Sequence, residues 1–194
     1  MLKAGDSIEN PVTGQRILFC RVAPDTQGAF VEVEYFNAPF TGKGAAPAHF
    51  HRTFTERFEI LAGRARYRLD KVEHDAGPGA MLTFPPGVPH LHPWSISAEV
   101  LHVRQTTIPD RPDVAALVAS GGALVTLFGL ARDGKVNKDG LPNLLQLAVL
   151  VHSIMPYSYL EGMPILVQEV LFGSLAALGS ALGYRASYPR YNSV

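Results

Sequence analysis

The stretch Pro47-Ala48-His49-Phe50-His51-Arg52-Thr53-Phe54-Thr55-Glu56 gathers residue types that bind metal ions. Two imidazoles separated by one residue share a face on a strand, where side chains alternate with a period of two, whereas a helix would turn them apart. Glu56 follows His51 closely enough to begin the next antiparallel strand after a short turn, facing back toward the imidazoles. A fourth candidate is His90, because the tight turn at Pro85-Pro86-Gly87 aims the following strand's first inward residue at the same point. Together His49, His51, Glu56 and His90 would hold one divalent transition metal, and Fe, Mn, Ni, Co, Cu or Zn all accept such donors. Four protein ligands on an ion that prefers about six leave room for water, dioxygen or a chelating substrate. A regular strand would also turn His92 and Trp94 into that cavity, His92 as a proton donor or partner of a ligand and Trp94 as a pocket wall. Packing at the strand end is the competing use of both. His102 is a further pocket candidate, and His74 and His152 fit no pattern.

Other chemistries are excluded by composition. Cys20 is the only cysteine, so neither an intrachain disulfide nor a thiolate cluster can form. Lysine plus arginine equal aspartate plus glutamate at 17 each, which leaves no overall basic field to attract nucleic acid, and no helix-turn-helix pattern stands beside the strand-rich region. The start, Met-Leu-Lys-Ala-Gly-Asp-Ser, lacks the apolar stretch of a signal peptide, which with the unpaired cysteine leads us to expect a cytoplasmic protein.

The elements that must position these residues are strands. From Arg16 to about Thr107 the chain runs in short alternating stretches rich in β-branched and aromatic residues, such as Phe30 to Phe36 and Arg64 to Leu69. Turns are marked by Thr41-Gly42-Lys43-Gly44, Gly77-Pro78-Gly79 and Pro85-Pro86-Gly87. A mainly β barrel or sandwich follows.

The ligand candidates and their glycines fall into two spaced patterns. His49, His51, Glu56 and Gly63 match His-x-His-x4-Glu-x6-Gly, and Gly79, Pro85, Gly87 and His90 match Gly-x5-Pro-x-Gly-x2-His. In both the chain resembles the cupin superfamily over roughly residues 28 to 106. It departs at Lys43, which stands where a glycine is expected between Gly42 and Gly44, and at Trp94, which stands where an asparagine is expected. The resemblance implies a cupin barrel, a double-stranded β-helix or jelly roll, frequently dimeric, over residues 1–110. It implies a metal-dependent protein, read first as a dioxygenase-like oxidoreductase acting on a small organic molecule, with Glu56 as ligand and proton relay. A redox-neutral isomerase or lyase and a non-catalytic small-molecule-binding protein are the alternatives.

Residues 111–194 have a different character and are expected to form a helical C-terminal appendage. Val114 to Leu130 reads as one helix, with Gly121-Gly122 as the place for a kink, and a polar connector runs from Arg132 to Gly140. Neither Leu141 to Leu160 nor Val170 to Tyr184 contains an aspartate, glutamate, lysine or arginine, and both read as helices. From Leu141 onward the only formal charges are Glu161, Glu169, Arg185 and Arg190, so much of the segment must be covered. The cover would be the barrel, a second copy in a homodimer, or a lipid surface in peripheral contact through 141–194. Pro142, Asn143, Gln146, His152, Pro156 and Glu169 favour protein over lipid.

Overall fold

The structure, a computed structural model, describes residues 2–43, 46–155 and 157–191. Gly44 and Pro156, both used above, lie outside the described residues. Ten strands come first: β1 (Ser7–Asn10), β2 (Gln15–Arg21), β3 (Val31–Asn37), β4 (His49–His51), β5 (Phe54–Ala62), β6 (Ala65–Leu69), β7 (Val72–Ala76), β8 (Met81–Phe84), β9 (His90–Ser95) and β10 (Leu101–Pro109). Helices α1 (Val114–Arg132) and α2 (Leu144–Ile154), strand β11 (Ser158–Leu160) and helix α3 (Ile165–Ala181) follow, and a short 3-10 turn at Pro189–Tyr191 comes last. The fold is mainly β with C-terminal helices, as the residue patterns imply.

The strands form two antiparallel sheets, one in the order β1-β2-β3-β10-β5-β8 and the other β11-β4-β9-β6-β7. Alternation sends Phe58 and Ile60 of β5, Val33 and Tyr35 of β3, and Leu101 and Val103 of β10 into a shared core with Phe19, Leu82 and Phe84. Two motif glycines make the connections around that core. Gly63, between β5 and β6, has a φ of +77°, and a β-carbon there would lie 2.8 Å from the Val100 carbonyl oxygen. Gly87, between β8 and β9, has a φ of +78°, and its N–H donates to the His51 carbonyl at 2.7 Å, which ties the turn before His90 to the strand carrying His51.

The C-terminal segment does not stand apart from the barrel. Val125, Phe128 and Leu130 of α1 and Leu150 of α2 belong to the same core cluster as the barrel strands. Helix α1 is capped by Asp113, whose side chain accepts from the Ala116 N–H at 2.9 Å. By length and composition α1 could also cross a membrane, although the apolar stretch singled out in the sequence for lipid contact was 141–194. The helix expected over Leu141 to Leu160 ends at Ile154, and Ser158–Leu160 instead pairs antiparallel with β4, with Ser158 opposite His51 and Leu160 opposite His49. An unpaired edge of β4 supplies the partner, and three residues are too few to show a period of two in sequence. The expected division at residue 110 is therefore crossed both by a strand and by core side chains.

Candidate metal centre

Strand β4 is only three residues long, and its alternation decides the site: His49 and His51 turn inward while Phe50 between them stacks on Tyr159 with ring centroids 5.9 Å apart. His90 opens β9 directly opposite His49, and His92 follows on the same face. Glu56 enters from the other sheet, where it pairs in register with Thr107 of β10 and Phe84 of β8. The resulting group is His49, His51, Glu56, His90 and His92, whose ligand atoms all lie within 4.8 Å of one another.

One carboxylate oxygen is the hub. Glu56 Oε2 lies 2.9 Å from His92 Nε2, 3.2 Å from His90 Nε2 and 3.3 Å from His51 Nε2. The other oxygen, Oε1, accepts from Gln105 Nε2 at 2.7 Å and from the Thr107 hydroxyl at 3.4 Å, so the carboxylate is held with Oε2 toward the imidazoles. On the far side of three of the four rings Nδ1 is engaged: His49 with the Pro47 carbonyl at 2.7 Å, His90 with the Val88 carbonyl at 2.9 Å, and His51 with the Ser158 hydroxyl at 2.8 Å. A carbonyl can only accept, so His49 and His90 carry their proton on Nδ1 and present an Nε2 lone pair to the centre.

Two of those inward nitrogens, His51 Nε2 and His90 Nε2, are buried without a hydrogen-bond partner, although each is near Glu56 Oε2. Leaving such atoms unsatisfied is costly, and a cation at the convergence point would satisfy both together with the carboxylate. Burial alone would push the Glu56 carboxyl up, but His92 and His51 outweigh it and hold the group well below the usual carboxylate range. His49 is held well below the ordinary imidazole range by burial and by His92, His51 and His90 around it, and burial lowers His90 as well. Neutral His49 and His90 beside an anionic Glu56 are in the protonation states a metal ion requires of its ligands. The same surroundings raise the Tyr35 hydroxyl well above its ordinary range, through burial and the nearby Glu56, and keep it neutral as it donates to the Pro93 carbonyl at 3.1 Å.

Two residues expected in the cavity lie elsewhere. A bulge between β6 and β9 brings Trp94 opposite Arg66, so it leaves the face of His90 and His92 and joins the face carrying the Arg66–Asp75 ion pair, with the Lys43 ammonium 4.8 Å from its ring centroid. One extra residue in a strand exchanges its faces. His102 neighbours the inward Val103 and therefore turns outward, where it stacks on Phe36 at 4.2 Å and meets Glu34 at 2.8 Å. Three residues that contact the centre were not anticipated: Gln105, Thr107 and Ser158. The first two are polar residues on the inward period of β10, continuing Val103, and that period could have located them. No local signal marks Ser158.

A family model described as a cupin domain matches residues 40–104, the span that carries the five converging residues. No curated protein matches the chain in sequence. Among solved structures, the cupin domain of Schizosaccharomyces pombe Cnp3 is 14% identical with a TM-score of 0.43, the match covering 50% of this chain and 65% of that one. A protein from Thermotoga maritima described as a predicted oxalate decarboxylase is 13% identical with a TM-score of 0.46, over 56% of this chain and 98% of that one. The polyketide cyclase RemF of Streptomyces resistomycificus is 20% identical with a TM-score of 0.44, over 57% of this chain and 81% of that one.

Proposed function

This chain carries a cupin domain over residues 40–104, and on that premise we propose that it is a metal-dependent enzyme, a dioxygenase-like oxidoreductase acting on a small organic molecule. The observation that supports this reading is the convergence of three imidazole nitrogens on Glu56 Oε2 with His49 alongside. His49, His51, Glu56 and His90 would hold one divalent transition metal. Bound there, such an ion supplies a Lewis acid for the oxygen donors of a substrate and, where it is redox-active, a site for dioxygen. Gln105 and Thr107 fix the carboxylate, and Glu56 stays anionic. Proton movement then falls to His92, whose side chain is 25% exposed against 10% for His51 and 1% for His90. Trp94 and His102, turned away from the centre, take no part in it.

A second reading, a redox-neutral isomerase or lyase, draws support from the His92–Glu56 contact itself, since a proton-carrying pair beside a Lewis acid suits enolisation without an oxidant. The test begins with metal content. Protein purified without added metal is expected to hold close to one ion per chain, and H49A and H51A should each lose most of it, because a whole coordinate bond disappears. Undiminished metal in the double variant would overturn the site. Oxygen uptake with a panel of catecholic and enolisable small molecules then supports the oxidoreductase reading. Turnover that persists without oxygen replaces it with the redox-neutral one, and tight binding without either makes the chain a small-molecule-binding protein.

A further inference from the structure

Among the histidines with a defined Nδ1 partner at the centre, His49 and His90 rest on carbonyls two residues away in their own segments, whereas His51 rests on a side chain more than a hundred residues further along. That partner, Ser158, sits in β11, directly opposite His51 and as buried as it is. The strand holding it is fastened on both sides. Toward the barrel, the Glu161 N–H donates to the Ala48 carbonyl at 2.9 Å, the Arg52 N–H donates to the Tyr157 carbonyl at 3.1 Å, and Arg68 pairs with Glu161. Toward α3, the fully buried Gln168 amide donates to the Leu160 and Met163 carbonyls at 2.9 and 2.7 Å while its oxygen accepts from the Leu160 N–H at 2.8 Å, and Tyr159 donates to Glu169 at 2.7 Å.

We infer that Ser158 is a positioning residue of the metal centre, and that through it metal binding and the seating of β11 and α3 on the barrel are energetically coupled. The inference rests on the metal reading above. A carbonyl partner would commit His51 to one tautomer, but a hydroxyl can accept from Nδ1–H or donate to Nδ1. With an ion at the centre, the Ser158 oxygen would accept a hydrogen bond from Nδ1–H, leaving the Nε2 lone pair toward the ion and holding the ring at its angle. Without the ion, the same hydroxyl can donate to Nδ1 while Nε2–H faces Glu56 Oε2, 3.3 Å away. Any free energy by which Ser158 favours the bound form is returned, by linkage, as extra stability of the strand that carries it.

The test uses the full chain stripped with a chelator and titrated with Co(II), whose visible absorption reports ligand geometry. S158A is expected to bind Co(II) about 10–100-fold more weakly and to shift the band, while S158T, which keeps the hydroxyl, stays close to the unaltered chain. In the unaltered chain, Co(II) should slow hydrogen exchange at the amides of residues 158–160, a measurement that stands even if S158A folds poorly. Equal affinity of S158A, equal loss in S158A and S158T, or no slowing in the unaltered chain would each overturn the role of Ser158. Failure of the unaltered chain to bind Co(II) at all would overturn the metal reading and this inference with it.

Discussion

At the scale of single residues, the centre is a balance between burial and charge. The Glu56 carboxyl and the His49 and His90 imidazoles all have lowered proton affinities in the fold, so in each case the unfolded chain binds protons more readily. The sign is the same for all three. The histidine contributions are present above the ordinary imidazole value of about 6.5 and fade as the pH falls through that value toward the lowered ones. The Glu56 contribution is present above the ordinary carboxylate range and fades at still lower pH. Metal-stripped protein should therefore show a falling denaturation midpoint from pH 8 toward pH 5, measured by urea unfolding, and a flat profile would contradict these shifts. Gln105 invites a second measurement: Q105L removes the donor to Glu56 Oε1 and should lower metal affinity about tenfold or more by equilibrium dialysis while leaving the four proposed ligands in place.

At the scale of elements, short connections set where the ligands point. Gly87 and Gly63 both occupy the left-handed region, yet a side chain at Gly87 would meet open space whereas one at Gly63 would press on the Val100 carbonyl and the Leu101 backbone. G87A should cost only the backbone penalty of about 1–2 kcal/mol, and G63A more than that, in side-by-side denaturation. Much of this was legible beforehand, because Gly63, Gly79, Pro85 and Gly87 stand at fixed offsets from the ligands and each offset translates into a strand or turn of defined length. The faces of Trp94 and His102 were not legible in the same way. Counting in twos from His90 turns Trp94 inward, and the bulge that breaks the count is set by β6 pairing with β9.

At the scale of the whole molecule, the C-terminal segment closes one edge of the barrel and leaves one of its own faces open. Gln168, Phe172, Ala176 and Gly179 form the buried stripe of α3, with Gly179 close against α2. Opposite them Leu166, Val167, Val170 and Leu178 are exposed. A second copy of the chain is our expected cover for this apolar face, which lies opposite the stripe that α3 buries against α2. Light scattering should then report a dimer, and the double variant V170E/L178E should be monomeric with its metal content unchanged. Co-sedimentation of the unaltered chain with anionic vesicles, abolished in that variant, would assign the face to lipid instead.

The sequence by itself determined four of the five candidate residues of the site, since His49, His51, Glu56 and His90 belong to strand and turn patterns of fixed spacing. It also determined that residues 111–194 are largely helical and poor in charge from Leu141 onward, because apolar runs and scarcity of charge are properties of composition. Only the tertiary structure decided that β11 lies beside β4, that Ser158 reaches His51, and that Gln105 and Thr107 hold Glu56. Each of these joins residues far apart in the chain, and such pairings depend on which sheet edge and which inward position remain to be filled once the whole barrel has closed.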